Sequence, residues 1–180
     1  MNQLTTSSDA TASQPNPGDS GSAKATHGAA VAQFISFAIG DDQYGVDIMA
    51  VREIKGWTEI THLPKQPDYM RGVLNLRGAM VPIIDLRCRF GQGKTEATPL
   101  HVVIVVQIGA RMIGLLADRV LDIISFEQSQ VQAVPRVSAA SRMDFLSGLV
   151  MVEGAMIALI DLSHLLSAPG DEGAGVADAA

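Results

Sequence analysis

One stretch of the chain decides the fold, and it runs Gly72-Val73-Leu74-Asn75-Leu76-Arg77-Gly78-Ala79-Met80-Val81-Pro82-Ile83-Ile84-Asp85-Leu86. Its apolar residues suit two buried β-strands on either side of Arg77-Gly78, where a tight hairpin needs residues that tolerate positive φ. Asp85 then supplies a carboxylate that can cap one short turn of helix. The stretch therefore predicts a buried hairpin followed by a helical turn.

The same pattern occurs a second time in the chain. Residues 148–162 repeat it, with a glycine at the turn and the same Ile-Asp-Leu ending. Earlier in each half, matching positions recur at one constant offset. The matched pairs are Ile39 with Ile108, Gly45 with Gly114, Val51 with Val120, and Ile54 with Ile123. Each half therefore predicts a strand, a turn, a second strand, a crossing segment, a hairpin and a helical turn.

The number of strands in each half favours closed barrels. Each half supplies about five short strands, and an antiparallel sheet of that size removes its exposed edges best by closing into a small barrel. The prediction is an all-β fold with two five-stranded barrels packed side by side, with short helical turns. One larger sandwich is the alternative. Within residues 47–54 the apolar spacing fits both a helix and a strand.

The ends of the chain differ in composition from its middle. Residues 1–31 and 167–180 are rich in small and polar residues and contain few large apolar side chains. They cannot bury enough surface to offset the entropy that is lost on ordering, so they are predicted to be disordered tails. The folded domain is predicted to span residues 32–166.

The overall composition limits the partners and the compartment. Hydrophobic residues make up 47% of the chain and the net charge is -6, which argues against a nucleic-acid backbone or an anionic membrane surface as the main partner. The single cysteine excludes an internal disulfide and fits a reducing compartment. No secretory leader and no apolar run of membrane-spanning length is recognised. The protein is predicted to be cytoplasmic.

The sequence offers no constellation for catalysis. Phosphate-binding and nucleophile-elbow motifs are absent, and no histidine has a second metal ligand at short spacing, so neither a cofactor nor a metal is expected. The histidines are His27, His62, His101 and His164. Cys88 lies between Arg87 and Arg89, which are expected to lower the pKa of its thiol, and a small β-barrel enzyme using Cys88 is one alternative function. A barrel that binds a small ligand is another, but it would need an open interior.

The two halves differ in polarity at a few positions of the repeat. Arg77 aligns with Glu153 and Asn75 aligns with Met151, while Glu53 of the crossing segment has an acidic counterpart. Positions that the shared fold does not fix are free to serve partners. Arg77 and Glu53 are therefore predicted to pair and to frame an apolar patch, the alternative being that both are ordinary solvated charges. The expected patch consists of Ile48 and Val51.

Several motifs follow one another along the chain. They are Tyr44-Gly45-Val46-Asp47-Ile48, Val51-Arg52-Glu53-Ile54, Arg71-Gly72-Val73-Leu74-Asn75-Leu76-Arg77-Gly78, Val81-Pro82-Ile83-Ile84-Asp85-Leu86, Gly114-Leu115-Leu116-Ala117-Asp118, Gly148 and Ile160-Asp161-Leu162. In order and spacing, over residues 33–166, they resemble the CheW family of bacterial chemotaxis coupling proteins. The resemblance implies two intertwined SH3-like barrels and a non-enzymatic adaptor. Such an adaptor bridges membrane chemoreceptors, the methyl-accepting chemotaxis proteins, to the regulatory domain of the histidine kinase CheA.

The resemblance also implies which residues meet each partner. The receptor tip would lie against the groove between the barrels and contact the first half, and the kinase would contact the second half. The matching receptor positions are Ile48, Val51, Glu53, Gly72, Asn75 and Arg77, and the matching kinase positions are Val102 and Val120. Such an adaptor would be cytoplasmic and recruited to membrane receptor arrays. An adaptor of a related pathway, such as twitching motility, is the alternative within the family.

Overall fold

The computed structural model describes residues 30–135 and 144–166. The first strand begins at Val31, which lies inside the tail predicted from composition. The predicted tails otherwise fall outside the described residues, at positions 1–29 and 167–180.

Ten β-strands, two short α-helices and two 3-10 turns make up the regular structure of the described residues. In chain order they are β1 (Val31–Ile39), β2 (Asp42–Asp47), a 3-10 turn (Ile48–Ala50), β3 (Val51–Gly56), β4 (Met70–Leu76), β5 (Ala79–Asp85), α1 (Leu86–Arg89), β6 (Val102–Ile108), β7 (Arg111–Ala117), β8 (Arg119–Glu127), a second 3-10 turn (Gln128–Gln130), β9 (Leu146–Val152), β10 (Ala155–Ile160) and α2 (Leu162–Leu166). Both hairpins and both helical turns of the predicted repeat are therefore present.

The strands form two five-stranded sheets, so the prediction of two five-stranded units is confirmed and the single larger sandwich is wrong. The first barrel has the strand order β3-β6-β7-β5-β4, and the second barrel has the order β8-β1-β2-β10-β9. Thr61, beyond the end of β3, forms an isolated bridge to Val73 of β4, and Gln132, beyond the end of β8, does the same to Leu149 of β9. These bridges bring the two ends of each sheet together, which leaves little free edge.

The two halves of the chain are interleaved. β1 and β2 belong to the second barrel, and β6 and β7 belong to the first, so each half gives its first two strands to the sheet that the other half mainly builds. Two parallel pairings, of β2 with β10 and of β5 with β7, attach the donated strands. Neither half therefore completes a barrel from its own strands.

Three apolar clusters hold the fold together. One fills the first barrel, one fills the second, and the largest, the central core, contains residues from both sheets. On β6, Val103 and Val105 pack inside the first barrel, whereas Ile104 and Val106 belong to the central core. All four are at most 1% exposed. A strand that is buried on both faces has no polar alternation, which explains the uninterrupted apolar run in its sequence.

The ambiguous segment after β2 contains both predicted structures in succession. Ile48–Ala50 forms the 3-10 turn, and β3 starts at Val51. Asp47 caps the turn, because its carboxylate accepts a hydrogen bond from the backbone N–H of Met49 at 2.8 Å. The apolar spacing fits a helix and a strand equally well because it crosses the junction between the two.

Asp85 caps α1 as predicted, and it also anchors the loop that follows. Its buried carboxylate accepts hydrogen bonds from the backbone N–H of Cys88 at 3.1 Å and from the Thr95 hydroxyl at 2.7 Å. The guanidinium of Arg71 lies 3.4 Å from the same carboxylate and donates to the Thr95 carbonyl at 2.9 Å. The polar loop between α1 and β6 is therefore fastened to the hairpin by a buried, charge-assisted network.

The bridge that closes the first barrel depends on Gly72. This residue has φ +139°, and a Cβ there would lie 2.2 Å from the carbonyl oxygen of Thr61. We expect Gly72→Ala to lower the free energy of unfolding by about 3 kcal/mol or more, because a backbone segment must move to make room. Chemical unfolding curves measure the loss.

Gly78→Ala is the matched control for Gly72→Ala. Gly78 also has positive φ, +92°, but no atom lies within 4 Å of an added Cβ. The control should lose only about 1 kcal/mol, from left-handed backbone strain alone. Equal losses in the two variants would contradict the steric account of Gly72.

Candidate partner-binding surface

The predicted ion pair between Arg77 and Glu53 is present in the first barrel. The Arg77 Nη2 atom lies 3.1 Å from the Glu53 Oε2 atom. Arg77 is at the tip of the β4–β5 hairpin and Glu53 is on β3, at opposite ends of the sheet order. The Arg77 side chain is 86% exposed and that of Glu53 is 26% exposed. The pair therefore spans the seam of the barrel while leaving the guanidinium open to solvent and to partners.

The hairpin turn explains why Arg77 projects from the surface. Arg77 has φ +53° and Gly78 has φ +92°, and two successive positive φ values are typical of the tight turns that match strand twist. The Asn75 side-chain oxygen accepts a hydrogen bond from the Gly78 backbone N–H at 2.8 Å. Asn75 therefore has an identified role inside the turn.

The second barrel lacks the ion pair. Glu153 and Gly154 form the same turn, with φ +51° and +83°. Asp122 takes the place of Glu53 in the repeat, and both carboxylates line an open groove of about 450 Å³. Like charges cannot pair, and among residues 30–135 and 144–166 neither carboxylate makes an ion pair. The divergence that the sequence displays therefore gives the two hairpin tips opposite charge.

The apolar part of the surface differs from the prediction in one respect. Ile48 and Val51 are half-buried and pack against the central core, so they do not form an open patch by themselves. The exposed apolar side chains beside them are Met49, which is 79% exposed, and Ile54, which is 41% exposed. Sequence reasoning missed Met49 because its exposure depends on the 3-10 turn. The Asp47 cap is a local signal of that turn.

Gly72 is the one predicted receptor position that offers no side chain and is buried. Its close approach to Thr61 gives it a backbone role in closing the barrel. Its expected part in receptor contact stays a prediction, and it would act through the shape of the hairpin.

A groove of about 370 Å³ lies between the barrels. It is lined by Ala50 of the 3-10 turn, by Gln107 at the end of β6, and by residues around the start of α2. The Gln107 side chain accepts a hydrogen bond from Arg52 Nε at 2.6 Å, so a further basic group borders the groove. The lining residues are Phe34, Asp47, Ala50, Gln107, Ile108, Ser147, Ile160, Asp161, Leu162 and Ser163.

The place that corresponds to this groove in the other half of the repeat is occupied by an ion pair. Arg87 occupies the position that Ser163 occupies in the second half, and its Nη2 atom lies 2.5 Å from an Asp118 carboxylate oxygen. The same oxygen accepts a hydrogen bond from the Gly40 backbone N–H at 2.7 Å. The contact between the barrels is therefore tied by charge on one side and open as a groove on the other.

The two predicted kinase positions lie on neighbouring parts of the chain's second half. Val102 pairs with Ala117 at the end of β7, and Val120 of β8 pairs with Phe37. Both valines are half-buried against the central core. Their role in kinase binding stays a prediction.

Cys88 does not have the character of a nucleophile. Burial raises the pKa of its thiol, and the nearby carboxylates of Asp85 and Asp68 raise it further, against smaller opposing effects of Lys94 and Arg71. The expectation that neighbouring arginines lower this pKa is wrong, because burial and Asp85 dominate. No group of three metal-ligating side chains occurs within the described ranges, and no helix there is long and apolar enough to cross a membrane.

Two small barrels with filled interiors, a shared core and an exposed charged hairpin tip are the architecture of a protein-binding module. The chain belongs to the family defined by the CheW-like domain, which matches residues 33–170. A protein described as "Probable chemotaxis protein CheW" from Rhizobium etli is 43% identical over 142 residues, covering 79% of this chain and 92% of that protein. The chemotaxis protein CheW of Rhizobium meliloti is 41% identical over 140 residues, covering 78% and 89%.

A solved structure agrees with the fold. The scaffolding protein TtCheW from Thermoanaerobacter tengcongensis superposes with a TM-score of 0.71 at 30% identity, covering 81% of this chain and 94% of that chain. The family and its structural neighbour indicate an adaptor or scaffold in chemotaxis rather than an enzyme.

The raised pKa of Cys88 predicts slow thiol chemistry. At pH 7 less of the thiol is ionised than in an unperturbed cysteine, so alkylation by iodoacetamide should be slower than that of a model thiol. The urea-unfolded chain serves as the control and should react at the ordinary rate. Faster labelling of the folded protein than of the unfolded chain would contradict this and revive a reactive Cys88.

Proposed function

We propose that this protein is a cytoplasmic chemotaxis adaptor that couples methyl-accepting chemoreceptors to the regulatory domain of the histidine kinase CheA, within membrane receptor arrays. The observation that carries the proposal is the Arg77–Glu53 pair, which exists only in the first barrel of this CheW-like chain among the described residues. The fold alone does not require this pair, because the equivalent positions of the second barrel carry two acids.

The receptor would bind as a helix tip laid against the first barrel and the groove between the barrels. Met49 and Ile54 supply exposed apolar contact, and the half-buried Ile48 and Val51 support it from beneath. Arg77 and Glu53 supply polar groups from the other face of β3, because the neighbouring strand residues Glu53 and Ile54 point to opposite sides. An apolar strip gives a helix most of its affinity, and framing charges fix its register and exclude wrong partners.

The kinase would occupy a different face, close to Val102 and Val120. The interleaved strands and the central core make the two barrels one packed unit. Two partners bound to one packed unit are held at a fixed separation, so a small displacement of the receptor is passed on to the kinase. This is scaffolding in the physical sense, and it needs no chemistry from the adaptor.

Replacement of Arg77 tests the receptor surface. Arg77→Ala should weaken binding to a purified receptor-tip fragment by about tenfold, which corresponds to about 1.4 kcal/mol. Its melting temperature should change by no more than about 2 °C, because exposed ion pairs contribute little to stability. Calorimetric titration and thermal unfolding measure the two quantities.

Glu153→Ala is the matched control for Arg77→Ala, because Glu153 has the same turn position and backbone conformation in the other hairpin. It should leave receptor binding unchanged. Unfolding of Arg77→Ala at a markedly lower temperature would make Arg77 a structural residue. Equal weakening by both variants would remove the first barrel from the proposal.

A variant that alters only the proposed kinase face tests whether the two partners bind to separate faces. The double variant Val102→Thr and Val120→Thr should weaken binding to the kinase regulatory domain by about three- to tenfold, because it adds hydroxyl groups that the interface must desolvate. Receptor binding should stay within about twofold of the parent. Val31→Thr, at a position 65% exposed on the second barrel, is the control. Because both valines pack against the central core, the melting temperature of the double variant is measured as well. Parallel loss of both partners in a double variant that melts like the parent would argue against separate faces.

A further inference from the structure

We infer that Asn75 is a positioning residue for Arg77: its side chain holds the hairpin turn so that the guanidinium stands in the orientation in which it meets the receptor. The inference rests on the proposed function of this surface. It assigns Asn75 a role that acts through Arg77, whereas the family resemblance places Asn75 only among receptor-contact positions.

The ion pair alone cannot hold the Arg77 side chain. The side chain is 86% exposed, and within the described part of the chain its guanidinium makes a single contact with a carboxylate, at 3.1 Å. Exposed pairs of this kind contribute little, and a long side chain loses much rotamer freedom when it is held in one geometry. A further interaction is needed to keep Arg77 near Glu53, and a hydrogen bond that restrains the backbone of the turn can provide it.

The Asn75 hydrogen bond acts on ψ of Arg77. Its side-chain oxygen accepts from the Gly78 N–H at 2.8 Å. That N–H belongs to the peptide unit that joins Arg77 to Gly78, so its direction is set by ψ of Arg77. Arg77 already has the uncommon φ of +53°. By fixing the direction of the N–H relative to β4, Asn75 restricts ψ of Arg77 and so holds the Arg77 backbone, from which the Cα–Cβ bond projects, in one position relative to both strands of the hairpin.

The second hairpin shows that the turn itself does not need an asparagine. Met151 occupies the position equivalent to Asn75, and the turn still forms with φ +51° at Glu153 and +83° at Gly154. Within the described residues, no side-chain oxygen accepts from the Gly154 N–H. The extra hydrogen bond therefore accompanies the hairpin that carries the arginine, which points to control of the arginine and not to formation of the turn.

The test is a double-mutant cycle with the receptor-tip fragment as the probe. Asn75→Met, which installs the residue of the second hairpin, should weaken binding about three- to tenfold in the parent protein. In the Arg77→Ala background the same substitution should have no further effect. Asn75→Asp keeps an acceptor for the Gly78 N–H and should restore binding to within about twofold. Met151→Asn in the other hairpin is the control and should change nothing.

A second readout is independent of the receptor. In ¹⁵N NMR spectra, amide hydrogen exchange at Gly78 should become faster in Asn75→Met and stay protected in Asn75→Asp. The Arg77 Nε–H signal of Asn75→Met should move toward its position in a Glu53→Gln variant, in which the ion pair is absent. These spectral changes are expected whether or not the receptor binds.

The outcomes separate the inference from the proposed function. If Arg77→Ala leaves receptor binding unchanged, the proposed receptor surface fails, and the NMR signals still decide whether Asn75 controls Arg77. If Arg77→Ala weakens binding but Asn75→Met does not, the inference is overturned while the proposed surface stands. Equal weakening by Asn75→Met with and without Arg77 would also overturn it, because Asn75 would then contact the receptor directly.

Discussion

The structure depends on the central core, which exists because four strands are buried on both faces. β1, β2, β6 and β7 each turn one face into a barrel and the other toward the second sheet, and residues such as Phe37 and Ile104 are completely buried there. Full burial of large apolar side chains is the main favourable term in folding. Because both barrels share these side chains, their mutual orientation is set by packing and not by a flexible linker. The scaffold function proposed for this chain depends on this constraint.

The features that the two halves share build the fold, and the residues in which they differ give the two barrels different surfaces. The two hairpins agree in turn geometry, since Arg77 and Glu153 both adopt the left-handed conformation that a tight turn requires. They differ in charge, so among the described residues only the first barrel carries an ion pair across its seam. The same contrast is found between the barrels, where Arg87 fills one side of the contact and Ser163 leaves the other side open. In both places the first half carries an arginine that the shared architecture does not demand.

Most of the fold could be predicted from the sequence because it depends on patterns of a few neighbouring residues. The repeated hairpin, the turn at Arg77-Gly78 and the cap at Asp85 each follow from a few neighbouring residues, and all are present. The repeat alone does not reveal which sheet receives β1 and β2, because strand exchange preserves every local pattern. The pairing of Arg77 with Glu53 could be inferred, since the hairpin tip changes from acid to arginine in the first half while the crossing segment keeps its acid. The outward turn of Met49 and the raised pKa of Cys88 could not, because both depend on burial that only the folded chain creates.

The interleaved topology also determines when the strands can pair during synthesis of the chain. β1 pairs with β8, and Phe34 lies opposite Ile124, so β1 must wait for a partner strand from the second half of the domain. Contacts between residues this far apart in sequence slow folding, since a large loop must close before they form. While the ribosome is still adding the second half, the apolar β1–β2 hairpin has no sheet to join and stays open to aggregation and to chaperones. A connector that is rigid when finished is thus among the slower kinds of domain to complete.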